Sequence, residues 1–203
     1  MDVGEVVPAL VGSHPLVDSI RLTGSRSAGT QHELSDWDFL VATHDFAPLA
    51  AELPRLIEPL QPLAGQWDRY SHHACYMVML RGPLKVDLIF PGQEQEWAPA
   101  WEPSQETLAA IDAHFWDWIL WLEQKRRAGE EKVLDASLVD MYKLMLEPMG
   151  ACSRPDSVAE AVELFVDLRH RLEDRFGVRV SRELEQEVRP LVAASSIERR
   201  FGS

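Results

Sequence analysis

The stretch Leu22-Thr23-Gly24-Ser25-Arg26-Ser27-Ala28-Gly29-Thr30-Gln31-His32-Glu33-Leu34-Ser35-Asp36-Trp37-Asp38-Phe39 decides how this chain folds. A short apolar run reaches Gly24-Ser25, and after a polar loop a second strand opens with Asp36 and Asp38. Side chains alternate across a strand, so Asp36 and Asp38 share one face and Trp37 takes the other. The following Phe39-Leu40-Val41-Ala42 is apolar and strand-like. Taken singly, Gly24 is explained as a turn glycine and the two acids as a solvated strand face. Taken together, two carboxylates at the mouth of a buried strand are costly without a positive partner. A hard divalent cation with oxygen ligands is the usual one. Gly24-Ser25 can offer backbone N–H groups to an anion. Metal and phosphate in one small site point to nucleotide chemistry.

Such a metal site needs a further ligand, and Leu84-Lys85-Val86-Asp87-Leu88-Ile89-Phe90 supplies one. Val86, Leu88 and Phe90 share one strand face, and Lys85, Asp87 and Ile89 the other. An isolated Asp among Val, Leu and Ile is out of place in a strand unless it lies on a watery edge or binds something. The preceding Ala74-Cys75-Tyr76-Met77-Val78-Met79-Leu80 is also strand-like, and Arg81-Gly82-Pro83 between them predicts a hairpin.

With Gly24-Ser25, Asp36-Trp37-Asp38 and Asp87 in place, residues 18–92 resemble the nucleotidyltransferase superfamily related to DNA polymerase beta. The wording Gly-Ser-Arg-Ser-Ala-Gly-Thr and Ser-Asp-Trp-Asp-Phe-Leu-Val is most similar to small bacterial members. Those include aminoglycoside and lincosamide adenylyltransferases and the minimal nucleotidyltransferases. The resemblance implies an α+β fold, with a small mixed sheet and helices followed by an all-helical C-terminal bundle. It implies that Asp36 and Asp38 ligate Mg²⁺, with two ions expected. Asp87 would complete the second metal site or take the acceptor's proton. Gly24, Ser25 and Arg26 would hold the triphosphate, Arg26 by a charge-assisted bond to a phosphate oxygen. Two metal ions would stabilise the attacking and leaving oxygens of an in-line displacement. The reaction implied is transfer of a nucleoside monophosphate, with AMP from ATP expected, to a hydroxyl of a small acceptor such as an antibiotic. Pyrophosphate leaves.

Composition narrows the partners. The 203 residues, 46% of them hydrophobic, suffice for one sizeable core or two small ones. No apolar run is long enough for a membrane span, and no signal peptide is expected from the acidic opening residues. Cys75 and Cys152 support neither a disulfide framework nor a zinc site, so the cytoplasm is the expected compartment. The net charge of −13 disfavours a nucleic-acid partner, whose recognition depends on neutralising phosphates with Lys and Arg. An acidic surface attracts a cationic acceptor such as an aminoglycoside, although it equally serves solubility.

Residues 3–11 read as a short helix, 17–23 as the first strand and 36–42 as the second. Helical spacing over 46–60 is interrupted by Pro48 and Pro54, and 63–70 is an ambiguous strand. Pro91-Gly92 ends the sheet pattern. The division expected is a nucleotidyltransferase domain over 1–103 and a helical domain over 104–203. Helices are expected at 104–127, capped by Ser104 with Thr107 in place of the usual Glu, and at 134–149, 157–176 and 181–194. Gly177 is a natural stop for the third. The first of these helices is apolar on more than one side, as a sandwiched helix is. Its tryptophans are expected in packing, with a substrate-stacking platform as the alternative.

If Asp87 only binds metal, a separate base is needed, and Glu102, Glu106, Asp112, Asp117 and Glu147 are candidates. Acids on helices mostly face water, and none of these stands out. His72 and His73 precede the hairpin and point apart. His32 lies in the loop before Asp36, and His114 is expected on a helix surface. Two other functions fit part of the pattern. Some minimal family members are antitoxins paired with a helical toxin bearing an Arg and a His a few residues apart. Arg26 and His32 have that spacing, but inside the phosphate loop, and the helical half lacks such a pair. A non-catalytic binding module would keep the fold, yet would be expected to lose one of the three acids.

Overall fold

The computed structural model describes residues 2–94 and 96–201, with side chains to residue 192. The protein is α+β, with a five-stranded mixed sheet and a helical C-terminal part. It divides into two compact units, Met1–Ala98 and Pro99–Ser203.

The first unit opens with α1 (Val3–Gly12), whose N-cap Asp2 side chain accepts a hydrogen bond from Gly4 N at 2.9 Å. Then come β1 (Val17–Thr23), the single-turn α2 (Gly24–Ala28) and β2 (Trp37–Thr43). α3 (Phe46–Leu56) and a 3-10 turn (Glu58–Leu60) lead to β3 (Ala64–Trp67), β4 (His73–Leu80) and β5 (Leu84–Glu94). α3 accommodates Pro54 and stops at Leu56 rather than continuing to Leu60, because Pro59 in the 3-10 turn has no N–H to donate to the Arg55 carbonyl.

The strand order is β1-β2-β5-β4-β3. β2 pairs with β5 in parallel, and the other described pairings are antiparallel. One sheet face carries Phe39, Val41, Tyr76, Val78, Val86, Leu88 and Phe90, and is covered by Val3, Val7 and Val11 of α1 and Leu49 and Leu53 of α3. Burying each such side chain is worth about 1.5–3 kcal/mol, which ties both helices to this face. The opposite face of β2 and β5 is thereby left to Asp36, Asp38, Lys85 and Asp87.

The sheet does not end at Pro91-Gly92. β5 continues to Glu94, because Ala74 pairs with Phe90 while the adjacent His73 pairs with Glu94. The intervening residues form a bulge, and Gly92 takes the left-handed φ of 80° that such a kink requires.

The second unit contains α4 (Leu108–Arg127), α5 (Glu131–Met141), a π-helical turn (Tyr142–Leu146), α6 (Val158–Phe176) and α7 (Glu183–Phe201). Among the described residues no helix is long and apolar enough to cross a membrane. α4 begins at Leu108, later than the expected 104. Ser104 and Thr107 still exchange reciprocal bonds, Thr107 N donating to Ser104 Oγ and Ser104 N to Thr107 Oγ1 at 3.2 and 2.9 Å. The threonine hydroxyl thus does what the usual Glu would. The helix expected over 134–149 is instead two elements. Glu147 N donates to Tyr142 O at 2.8 Å, a five-residue step, and Met145 and Leu146 are both buried. α6 runs as read, from the Ser157 cap to Gly177 at φ 68°.

α4 is buried nearly all round. Trp116 is fully buried, and Phe115 stacks on Phe165 with centroids 3.7 Å apart. Trp116 is thus a packing residue. Three expectations of exposure on this helix are corrected: His114, Asp112 and Asp117 are 4%, 2% and 5% exposed. Asp112 is inside because Arg169, fully buried on α6, donates to its Oδ1 at 2.7 Å. Arg169 also donates to Glu185 of α7 at 2.6 Å. Arg182, just before α7, pairs with Glu173 of α6, and Arg189 of α7 pairs with Glu163 of α6 and with Glu185 of its own helix. They border an open cleft of about 690 Å³ lined by Val166, Arg169, His170, Glu185 and Pro190 among others.

Candidate metal centre

Strand register assembles the acid cluster. Thr23 of β1 lies opposite Asp38, Asp38 opposite Asp87, Asp87 opposite Met77, and Met77 opposite Gln66. One row therefore crosses all five strands with Asp38 and Asp87 adjacent at its centre. Asp36 precedes β2 on the same face by alternation. Asp36, Asp38 and Asp87 each offer a carboxylate oxygen within 4.8 Å of the others. β5 is an interior strand and Asp87 is 8% exposed, so it is not a watery edge residue.

A fourth charged group completes the cluster. Lys85 Nζ lies 3.3 Å from Asp87 Oδ2 and 4.0 Å from Asp36 Oδ2, with its side chain 8% exposed. Sequence reasoning set Lys85 and Asp87 on one face but passed over the lysine. The signal was the same alternation that selected Asp87. Burial pushes the Asp38 carboxyl up from its usual range, and the Asp36 charge adds to this, while Lys85 and Arg26 pull it down. The net rise records first the burial of Asp38 and second the neighbouring Asp36 charge, which Lys85 and Arg26 only partly offset.

Gly24 touches this cluster directly. Its φ of 67° is left-handed, and a Cβ there would run into the Asp38 carboxylate. Glycine at this position lets β1 turn while Asp38 packs against the backbone. Gly24→Ala is expected to cost about 1–3 kcal/mol of stability from the strained backbone. It should also displace Asp38 and weaken Mn²⁺ binding, as urea unfolding and a Mn²⁺ titration will read. Unchanged stability and Mn²⁺ affinity would refute this role.

Arg26 turns away from open solvent. Its Nε donates to the carbonyls of Ser35 and Asp36 at 3.1 Å each, its Nη2 donates to Ser35 O at 2.7 Å, and its guanidinium lies 4.1 Å over Trp37. The side chain thus ties α2 to the segment that delivers Asp36. Ser25 is in the same turn, its carbonyl accepting from Thr30 N at 3.0 Å.

His32 folds onto its own loop, its Nδ1 accepting from Leu34 N at 3.2 Å. His72 accepts from Trp97 Nε1 at 2.7 Å. His73 pairs with Glu94 at the far end of the hairpin, four residues along β4 from Met77 and so roughly 13 Å away. Glu102, Glu106 and Glu147 are exposed, Glu106 accepting from Ser104 Oγ at 2.8 Å. Asp112 is committed to Arg169 and Trp116. Both cysteines are free thiols, Cys75 buried and Cys152 exposed.

The residues fit a hard divalent cation on three counts. The donor set is three carboxylates, a lysine ammonium stands among them as a tethered positive charge, and Gly24 leaves Asp38 room beside the backbone. No model of a known protein family matches the chain, and no curated protein matches it. Among solved structures it is similar to a cytoplasmic RNA terminal U-transferase, at 14% identity and a TM-score of 0.37. The match covers 62% of this chain and 38% of that one. A likeness that low leaves the site's own residues to carry the function.

Proposed function

We propose that the protein is a Mg²⁺-dependent nucleotidyltransferase. It moves a nucleoside monophosphate, AMP from ATP in the expected case, onto a hydroxyl of a small cationic acceptor of the aminoglycoside or lincosamide kind. The observation that carries this is the juxtaposition of Asp36, Asp38 and Asp87, with carboxylate oxygens within 4.8 Å, beside the Gly24-Ser25 turn. Bound Mg²⁺ would supply charge neutralisation at the attacking and leaving oxygens.

The chain's own residues then have defined tasks. Asp38 of β2 and Asp36 just before it would hold the cation, and Asp87 would close the cluster from β5. Gly24 and Ser25 take the triphosphate, the glycine by allowing close backbone approach and the serine by its hydroxyl and N–H. Arg26 contributes positive charge at that end while its N–H groups keep the Asp36 carbonyl in place. The acceptor oxygen bonds to the α-phosphorus as the bond to pyrophosphate breaks. The acceptor's proton passes to Asp87 or to solvent. Positioning and charge neutralisation carry such a transfer, with little covalent chemistry left to the protein. The charge of −13 supports a cationic acceptor over a polyanionic one.

The test is pyrophosphate release from each NTP with Mg²⁺, across aminoglycosides, lincosamides, simple hydroxylated metabolites, single-stranded RNA and protein. Release with a small acceptor, abolished by EDTA, is the expected result. Labelling of RNA or protein alone sinks the small-molecule acceptor. Absence of metal-dependent nucleotide binding sinks the enzyme reading altogether.

A further inference from the structure

We infer that Lys85 is a built-in cation of the acid cluster, filling one of two cation positions, so that the cluster takes a single divalent ion until a nucleotide's phosphates bring negative charge for another. This deepens the nucleotidyltransferase reading and rests on it for the assignment of the three aspartates to metal. The geometry is direct. Lys85 Nζ bridges Asp87 of β5 at 3.3 Å and Asp36, the residue just before β2, at 4.0 Å. Val86 pairs with Trp37, which brings the residue before Val86 alongside the residue before Trp37. Lys85 and Asp36 are those residues, so the contact is set by register. Lysine normally carries its ammonium out to water along a flexible stem. Here the side chain is 8% exposed, and it is stable there because carboxylates surround its charge.

Charge decides how many further ions fit. Three ionised carboxylates and one ammonium leave two negative charges, which one divalent ion neutralises. A second divalent ion beside the lysine would make the cluster strongly positive before any nucleotide arrived. It would also crowd an ammonium already in contact with two of the three ligands. Lys85 therefore limits the nucleotide-free cluster to one ion and holds the aspartates together when no ion is bound.

Mn²⁺ binding without nucleotide, followed by electron paramagnetic resonance on the full chain, tests this, together with melting curves in EDTA and in Mn²⁺. Wild type and Lys85→Arg are expected to bind one Mn²⁺. Lys85→Met is expected to bind a second ion, or one ion about tenfold or more tightly, since an ammonium within about 4 Å no longer competes. In EDTA Lys85→Met should melt below wild type, and Mn²⁺ should raise its midpoint by more than wild type's. A purely structural lysine would not make stability depend on the ion in this way. Two ions on wild type, or a Lys85→Met variant with wild-type stoichiometry and affinity, overturns the inference while the metal centre stands. No Mn²⁺ on any variant removes both. If Lys85→Met folds only with Mn²⁺ the inference is supported, and if it folds in neither condition Lys85→Gln is judged by the same criteria.

Discussion

Asp38→Asn is expected to lower nucleotidyl transfer by about a thousandfold or more, since the lost ligand removes several kcal/mol of transition-state charge stabilisation. Asp38 is central to the row across the sheet, facing Thr23 on one side and Asp87 on the other. Asn keeps the shape and can still accept a hydrogen bond, but it brings no charge to a cation. The fold should survive, and in the absence of metal should gain. Burial and Asp36 raise the Asp38 carboxyl, so its ionised form is held at a cost in the native state. Stability linked to this group is present below its unfolded value and is lost as pH rises through the raised one. Asn has no charge to hold, so the variant should melt no lower than wild type in EDTA at neutral pH. Steady-state pyrophosphate release and a melting curve measure the two effects. Full activity in Asp38→Asn would remove the metal assignment, and a large drop in melting temperature would mean the residue is structural.

Arg169→Met is the stability counterpart, with an expected loss of about 3–5 kcal/mol, the cost of stripping one partner from a buried ion pair. Arg169 is fully buried and bonds Asp112 on α4 and Glu185 on α7. Glu185 retains Arg189, while Asp112 retains only the Trp116 indole among its hydrogen-bond donors named above. Burial already pushes the Asp112 carboxyl up to about 6, against the pull of Arg169. An acid raised in this way contributes stability below its unfolded value that is lost as pH climbs through the folded one. Without Arg169 the folded value rises further, so the deficit should be wider at about pH 8 than at about pH 5. Combining Arg169→Met with Asp112→Leu should recover much of the loss, because an apolar pair replaces an orphaned charge. Urea unfolding at the two pH values reads wild type and both variants. A loss under about 1 kcal/mol would show that the Arg169 network is solvated rather than buried.

The sheet was legible because its signals are local. Residues 17–23 form the expected strand, the Arg81-Gly82-Pro83 turn joins the two strands read around it, and alternation put Asp36 and Asp38 on one face. Asp87 was legible for the same reason. Lys85 was equally available by alternation, but its meaning depended on β5 lying beside β2, which no local pattern states. The same holds for the buried acids of α4. Asp112 looks like a surface residue until Arg169, 57 positions away, is placed against it. The continuation of β5 past Pro91-Gly92 was hidden because a bulge restores pairing after residues that normally end it. Arg26 was read for its charge, whereas its hydrogen bonds to the Ser35 and Asp36 carbonyls depend on how the loop between α2 and β2 closes.

The parallel seam between β2 and β5 also dictates how the site comes into being. Each side of the seam is a local antiparallel hairpin, β1–β2 and β4–β5. The first carries Gly24, Asp36 and Asp38, and the second carries Lys85 and Asp87. Neither holds a complete cluster, and their docking must close a loop before any contact across the seam rewards it. Docking also brings a third carboxylate towards two others. The second hairpin arrives with its own ammonium two residues from its acid, so the halves attract as they meet. A nascent chain consequently has no cation-binding site until its second hairpin has been made and has docked.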